Sequence, residues 1–169
     1  MKELVLLNPE NVSAEEADAY PVREAARAVV FDGEGKIALL HVSNKSYYKL
    51  PGGGLDDDTD KVVALKRECR EEIGCEIEVM GEVGMLTEYR KFSSLRQISY
   101  CYAARVLGEK GVPDFTESEM REGFKEIWMT YEEAEHALRD SKPTDQESQE
   151  YIVPRDKILL EAAKGFAGK

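Results

Sequence analysis

Hydrophobic residues cluster in the first third of the chain in runs typical of β-strands. Residues 22–31 and 36–42 are rich in Ala, Val, Ile and Leu, and they flank the sequence DGEG at residues 32–35. Two apolar runs on either side of a glycine-containing turn predict a β-hairpin. A third apolar and aromatic piece, residues 47–50, runs into the sequence PGGG at residues 51–54, where extended structure must stop.

Helical periodicity is clear in residues 59–73. Apolar side chains recur there at steps of three and four residues, which places them on one face of a helix, and they are Val62, Leu65, Cys69 and Ile73. Gly74 follows at the position where a glycine commonly ends a helix. We therefore expect one face of this helix to pack in the core.

Three further helix starts are marked by a Ser or Thr followed three residues later by Glu, the capping-box pattern. They are Ser13, Thr130 and Thr144. The first helix is expected to end before Pro21, and Pro154 is expected to break or restart the last one.

The remaining β candidates are residues 76–89, 97–107 and 124–129, with a polar loop over 108–122. The order is thus β-rich, helix, β-rich, helices. This order predicts a single domain over residues 1–169 with an α+β fold, in which helices cover a sheet in α/β/α layers.

Composition narrows the choice of partners. Among 169 residues, 34 are acidic and 23 are basic, which gives a formal net charge of −11. Such a surface repels nucleic-acid polymers and anionic membranes, but an anionic small molecule stays compatible if a metal ion is present. The apolar run at residues 4–7 is too short for a signal peptide, and we expect a cytoplasmic protein with three reduced cysteines.

Three carboxylates define the strongest candidate for chemistry. Glu68, Glu71 and Glu72 stand at i, i+3 and i+4, so helical geometry places them on one side of the predicted helix. A hard divalent cation relieves their repulsion, and oxygen ligands favour Mg²⁺, with Mn²⁺ as a substitute. Residues 52–54 are all glycine, and such a turn lets the backbone approach a phosphate or metal ion closely. The alternative is that the carboxylates form an ordinary solvated face of the helix and that residues 52–54 form an ordinary turn.

The spacing of these residues resembles the Nudix box, G-x5-E-x7-R-E-U-x-E-E-x-G-U, in which U is a bulky apolar residue. The matching positions are Gly53, Arg67, Glu68, Cys69, Glu71, Glu72, Gly74 and Cys75. The first Glu of the pattern is replaced by Thr59, which we expect to cap the helix while Asp58 and Asp60 complement its dipole. Cys69 and Cys75 take apolar box positions, which indicates small buried side chains.

This resemblance covers about residues 22–138 and implies a Nudix fold, an α/β/α sandwich with a mixed sheet. It also implies Mg²⁺-dependent hydrolysis of a diphosphate linked to a second group, usually a nucleoside. The implied metal ligands are Glu68, Glu71, Glu72 and the Gly52 carbonyl, with Glu122 as a late candidate, and Arg67 is implied to orient a box glutamate. The general base stays open between Glu68 or Glu71 in the box and Glu119 or Glu122 in the later loop.

Several residues near the box are candidates for contacting the substrate. Candidate phosphate contacts are the backbone of Gly52, Gly53 and Gly54 and the side chains of Arg27 and Lys49. A modified nucleoside triphosphate, such as an oxidised dGTP, is the first hypothesis, and an ADP-ribose or nucleotide-sugar substrate is the alternative. A Nudix sensing module without turnover is a third hypothesis, for which Thr59 is the one hint. The C-terminal helices are expected to cap the sheet or to pair across a homodimer.

Overall fold

The computed structural model describes residues 1–168 and contains one mixed sheet of seven strands. The strands are β1 (Glu3–Leu7), β2 (Val22–Phe31), β3 (Ile37–Val42), β4 (Tyr47–Lys49), β5 (Glu76–Arg90), β6 (Leu95–Leu107) and β7 (Phe124–Met129). Their order is β1-β5-β6-β2-β3-β4. Strand β7 is off this path and pairs with the edge of β3 that faces neither β2 nor β4. The pairs β1/β5 and β2/β6 are parallel, and the other strand pairs are antiparallel.

Five α-helices accompany the sheet in the described residues. They are α1 (Ala14–Asp18), α2 (Lys61–Ile73), α3 (Glu117–Glu122), α4 (Tyr131–Asp140) and α5 (Val153–Ala162). A π-helical segment, Ser148–Ile152, runs directly into α5, whose first turn contains Pro154. None of the helices in residues 1–168 is long and apolar enough to cross a bilayer.

Two apolar cores, one on each face of the sheet, confirm the α+β fold of α/β/α layers. Alternate residues of β2 point to opposite faces, as the strand period requires. Ala26, Ala28 and Val30 pack with the apolar stripe of α2, whereas Val29 and Phe31 pack with residues of α4 and α5. The helix stripe predicted from periodicity is buried at Leu65, Cys69 and Ile73, and Val62 packs against it.

The glycine-rich loop lies along an edge of β2. The amide of Ala26 donates to Gly53 O at 3.0 Å, the amide of Ala28 donates to Pro51 O at 3.0 Å, and the amide of Leu55 donates to Glu24 O at 3.1 Å. β2 meets β3 only at the Phe31–Ile37 pair, so this loop takes the edge that β3 leaves open. The loop is thereby held as a strand-like extension of the sheet.

Gly52 is required by this arrangement. Its φ is +127°, and a Cβ atom there would overlap the Ala26 carbonyl oxygen and lie 2.9 Å from Arg27 Cα. Only glycine adopts this φ without strain and lets the two backbones approach so closely.

The helix caps differ from the predictions at two places. The second helix begins at Lys61, not Thr59, and its N-cap is Asp60, whose Oδ1 accepts from the Val62 amide at 2.7 Å. The prediction of Thr59 as the cap is therefore wrong, because the carboxylate of the next residue takes that role. Near the last helix, Asp145 and not Thr144 accepts from the backbone, at the Ser148 amide.

Two elements were not predicted. Strand β1 lies in the apolar run near the N-terminus and pairs with β5, and α3 lies in the loop predicted over residues 108–122. Helix α3 has no buried residue, so no apolar periodicity marks it, although Thr116 and Glu119 form a complete capping box. The strand over residues 124–129 and the helix after Thr130 are found as predicted.

The cysteines are free and buried, as predicted for Cys69 and Cys75 from their apolar box positions. Burial raises the pKa of all three thiols, most strongly for Cys69 and Cys101, which sit in the two cores.

We expect the native protein to react slowly with DTNB and to release three equivalents of thiol in denaturant. A thiol that reacts within seconds in the native protein would contradict this packing.

Candidate active site

Helix α2 carries the acidic residues of the box, and both of its ends are firmly defined. Asp60 caps the first turn, and Gly74 ends the helix with a φ of +64°. A Cβ at Gly74 would lie 2.7 Å from the Gly111 carbonyl carbon, so this exit from the helix also needs glycine. With its buried stripe on the sheet, α2 turns Glu68 and Glu72 toward the glycine-rich loop.

Glu72 is the most deeply buried of the three carboxylates, with 2% of its side chain exposed. Its Oε2 accepts from the Gly52 amide at 2.6 Å, and its Oε1 accepts from Lys49 Nζ at 2.9 Å. Lys49 is itself 13% exposed, and its ammonium group lies 4.7 Å from the centre of the Phe124 ring. Glu72 therefore joins the helix to the loop through one backbone bond and one largely buried ion pair.

Glu68 lies against the next residue of the loop. A Cβ at Gly53 would come within 2.5 Å of Glu68 Cδ, so a side chain at this position would displace the carboxylate. Burial and the nearby charge of Glu72 raise the pKa of the Glu68 carboxyl, and Arg67 partly offsets this effect. The site thus brings two carboxylates together beside a bare backbone.

Arg67 holds the outer side of this cluster. Its Nη1 donates to Glu68 Oε1 at 2.8 Å and to Glu71 Oε2 at 3.3 Å, and its Nη2 donates to Gly54 O at 3.2 Å. Burial opposes its charge, but the carboxylates bonded to it raise the pKa of the guanidinium overall. Arg67 is therefore a fixed cation that orients two box glutamates, the geometry that the resemblance implied.

The acidic loop before α2 completes the environment of Arg67. Asp58 Oδ2 accepts from Arg67 Nε at 3.2 Å, and Asp56 Oδ2 lies 3.4 Å from Nη2. Thr59 is exposed and makes neither contact. Asp58 was predicted only to complement the helix dipole, and its ion pair with Arg67 was not predicted. This pair supplies a carboxylate next to the position where the box pattern has glutamate.

The donor chemistry of the site fits a hard divalent cation. Within residues 1–168, no three or more His, Cys, Asp or Glu side chains already converge on one point, and Arg67 and Lys49 occupy carboxylate oxygens of the box. The donors are nevertheless all oxygens, and the Gly52 carbonyl accepts no hydrogen bond within the described chain. A divalent ion at this position would supply the positive charge that Arg67 and Lys49 provide in the structure.

Arg27 lies on β2, directly behind the glycine-rich loop. Its side chain is 6% exposed, and its Nε has no hydrogen-bond partner in the described part of the chain. Burial and the charge of Arg155 lower its pKa to about 10, while Asp156 and Glu72 attract the guanidinium. The buried guanidinium therefore keeps one donor unused inside the protein.

A cleft of about 550 Å³ opens beside the end of this loop. Its lining includes two cationic side chains, Arg23 and Lys61, and three acidic ones, Glu24, Asp56 and Asp58. The cleft gives Gly54 and the start of α2 access to a ligand of nucleotide size.

The later acidic residues lie in other contacts. Glu122 Oε1 accepts from Lys45 Nζ at 3.0 Å, and Glu119 Oε2 accepts from the amide and hydroxyl of Thr116. The structure thus brings together Gly52, Gly53, Gly54, Lys49, Arg67, Glu68, Glu71 and Glu72, with Arg27 behind them, whereas Glu122 is paired with a loop lysine.

A buried charged pair, Arg155 and Asp156, lies close to Arg27 and was not predicted from the sequence. A signal was present: Asp156 interrupts an apolar helical stripe formed by Val153, Leu159 and Leu160. A charged residue at a core position of a helix indicates a polar partner inside the protein.

Comparison with known proteins gives a consistent family pattern. A family profile described as NUDIX domain matches residues 21–155. The RNA pyrophosphohydrolase of Acidiphilium cryptum (strain JF-5) is 36% identical over 73 residues. That match spans 40% of this chain and 44% of the relative, which is less than half of the relative's length.

Solved structures share the fold at low sequence identity. A NUDIX hydrolase from Nitrosomonas europaea has a TM-score of 0.65 and 13% identity, covering 87% of this chain and 91% of its own. A MutT protein from Methanosarcina mazei Go1 has a TM-score of 0.59 and 15% identity, covering 89% and 99%. These likenesses confirm the mixed-sheet architecture.

The Lys49–Glu72 pair leads to a prediction about stability. We expect Lys49→Met to lower the free energy of unfolding by about 3 kcal/mol, because it leaves the buried carboxylate of Glu72 without its cation. Millimolar Mn²⁺ is expected to restore part of the loss. Urea unfolding with and without Mn²⁺ measures both effects.

The matched control is Lys36→Met, which removes an exposed pair with Glu34 and is expected to cost less than about 1 kcal/mol. If Lys49→Met is no more destabilising than Lys36→Met, the Lys49 charge is not needed to balance Glu72.

Proposed function

The chain belongs to the NUDIX domain family, and from that premise we propose that it is an Mg²⁺-dependent hydrolase of a pyrophosphate bond in a nucleotide derivative. One observation carries the proposal. Two largely buried carboxylates, Glu68 and Glu72, lie against the backbone of Gly52 and Gly53, and each is paired with a cation. Unneeded carboxylates are seldom buried in this way, since their desolvation is costly.

We assign the metal to the carboxylates of Glu68, Glu71 and Glu72 and to the Gly52 carbonyl, with Mn²⁺ as a substitute for Mg²⁺. When bound, the ion supplies charge neutralisation at the phosphate oxygens and lowers the pKa of a water molecule. Arg67 keeps Glu68 and Glu71 oriented toward the site from outside. Glu72 fixes the loop through the Gly52 amide.

We assign the general base to Glu68. Its carboxylate lies against the bare backbone of Gly53 and is largely buried. Glu119 and Glu122 are less suitable, since the first serves a helix cap and the second is paired with Lys45. Glu71 is the alternative within the box, and it is more exposed.

The reaction consumes one water molecule and breaks one phosphorus–oxygen bond. The water oxygen attacks phosphorus while Glu68 takes the proton, and the bridging oxygen leaves with its electron pair on the departing phosphate group. Two phosphate-bearing products result, and no oxidant or reductant is involved.

Arg27 and the loop backbone are the proposed phosphate contacts. The unpartnered Nε of Arg27 lies behind a loop that supplies backbone N–H groups free of Cβ atoms. A guanidinium fork matches the geometry of phosphate oxygens better than an ammonium group does. Lys49 is a second candidate for the same role, because a metal ion held by Glu72 would leave its ammonium group without that partner.

We propose a mononucleotide derivative as the substrate, with a nucleoside triphosphate before ADP-ribose. The relative that acts on RNA, by its name, matches less than half of its own length, and a chain with net charge −11 disfavours a long polyanion. The charge argument does not penalise a compact substrate that arrives with a metal ion.

The first test is phosphate release with Mg²⁺ over nucleoside triphosphates, oxidised nucleotides, ADP-ribose, dinucleotides and a 5′-triphosphorylated RNA. We expect turnover of a nucleoside triphosphate and a loss of more than about 100-fold in Glu71→Gln, because a metal ligand is removed. The matched control is Glu76→Gln, which removes an exposed carboxylate at the start of β5 and is expected to keep full turnover.

No turnover by the intact protein with either Mg²⁺ or Mn²⁺ would reject the enzyme hypothesis. Binding of a nucleotide without turnover would instead support a sensing module, for which the Thr59 substitution in the box is the supporting feature.

A second test concerns Arg27. We expect Arg27→Lys to raise KM by about tenfold with little change in kcat, since the charge stays but the fork geometry is lost. Steady-state kinetics on the substrate found by the panel measures this split. Arg121→Lys, at an exposed position of α3, is the control, and an equal KM in both variants would rule out Arg27 as a phosphate contact.

A further inference from the structure

A line of buried charges lies behind the glycine-rich loop, on the α5 side of the sheet. Asp156, Arg155, Glu88 and Arg90 are each at most 4% exposed. Arg155 Nε donates to Asp156 Oδ1 at 2.7 Å, and Arg155 Nη1 lies 3.6 Å from Glu88 Oε1. Arg90 Nε donates to Glu88 Oε2 at 2.7 Å, and Arg90 pairs in turn with Glu147 at the surface. Charges alternate in sign from the interior outward.

Such a network is costly to bury, and apolar residues of similar size often replace a buried ion pair at no loss of stability. The proposed reaction uses none of these four side chains. Their burial therefore indicates that they hold a neighbouring segment of the chain in place.

The inner end of the network holds the backbone of the loop. Asp156 Oδ2 accepts from the Leu50 amide at 2.8 Å, across a sequence separation of 106 residues. Leu50 and Asp156 are both fully buried, so no water replaces this acceptor. Leu50 directly precedes Pro51 and Gly52 of the box entry.

Three consecutive residues are thus held at three points. The Leu50 amide donates to Asp156 of α5, the Pro51 carbonyl accepts from Ala28 of β2, and the Gly52 amide donates to Glu72 of α2. The two carboxylates reach the loop from opposite layers of the sandwich. Between them they leave the backbone of residues 50–52 little freedom to rotate.

We propose that Asp156 is a positioning residue of the active site, which fixes the path of residues 50–52 and thereby the orientation of the Gly52 carbonyl and amide beside Glu72. This inference rests on the proposed function, because it assigns the Gly52 carbonyl to a divalent cation. Arg155 holds Asp156 in the rotamer that meets Leu50, and Glu88 and Arg90 balance the charge of Arg155.

The chemistry of Asp156 suggests a conservative test. Its two oxygens accept from two different donors, Leu50 N–H and Arg155 Nε–H. An asparagine has the same shape but only one acceptor oxygen, so Asp156→Asn loses one of the two bonds and sets an N–H group against a donor. The side chain keeps its volume, which limits changes in packing.

The experiment compares the wild type, Asp156→Asn and Glu147→Gln in two measurements without substrate. Residue-resolved amide hydrogen exchange follows Leu50 and Gly52, and electron paramagnetic resonance measures the Kd for Mn²⁺. In Asp156→Asn we expect faster exchange at both amides and a Kd for Mn²⁺ about tenfold higher, the lower end of the effect of removing an outer partner of a metal site. Glu147→Gln weakens the outer end of the same network, at an exposed residue, and is expected to leave both quantities unchanged.

The outcomes separate the inference from the proposed function. In one outcome the wild type binds Mn²⁺, and Asp156→Asn shows the same Kd for Mn²⁺ and the same exchange rate at the Gly52 amide. This result would overturn the positioning role and leave the enzyme hypothesis intact. Equal changes in Glu147→Gln would also overturn it, since they would reflect general loosening. A wild type that binds no Mn²⁺ would remove the proposed function and this inference together.

If Asp156→Asn does not fold, Arg155→Lys decides the question. That variant keeps the positive charge and the Asp156 carboxylate but loses the Nε bond that orients it. Faster exchange at Leu50 and Gly52 with weaker Mn²⁺ binding supports the proposal, and wild-type values for both overturn it.

Discussion

The antiparallel bonding of residues 51–55 to the edge of β2 is the constraint on which the rest of the site depends. Three backbone bonds hold the loop there, and they form only because Gly52 has no Cβ to strike the β2 backbone. Since β2 is central to the sheet and buried on both faces, the loop inherits the rigidity of the core. Helix α2 then packs over the loop and adds side chains to a backbone that is already in place.

Buried carboxylates near the site are paired with basic side chains. Positive side chains are placed against the buried acids from several directions: Lys49 on Glu72, Arg67 on Glu68 and Arg155 on Asp156. Each pair satisfies a carboxylate that would otherwise be costly to bury. The pairs on the box carboxylates lie at the proposed metal site, whereas the pair at Asp156 lies in the interior beside the Leu50 backbone.

The sequence predicts those elements of the fold that are marked by a pattern within a short stretch of residues. The strand at residues 124–129, the hairpin at 32–35 and the stripe of α2 follow from short-range periodicity, and the box follows from fixed spacing. Strand β1 was missed because it is a short run without alternation. Helix α3 was missed because it buries nothing and has no apolar periodicity, although Thr116 and Glu119 mark its start with a capping box. The bond from Asp156 to Leu50 joins residues 106 apart, and no local pattern encodes a partner at that distance.

The π-helical segment before α5 has a consequence for the phase of that helix. Each residue of an α-helix advances the side chains by about 100°, and a π-turn accommodates one residue more than an α-turn. The segment Ser148–Ile152 therefore sets which side of α5 meets the sheet. Deleting a single residue there would rotate Asp156 away from Leu50 and bring Lys157 to its position in the helix. The C-terminal part of the chain thus tolerates changes of residue type at its surface far better than changes of length.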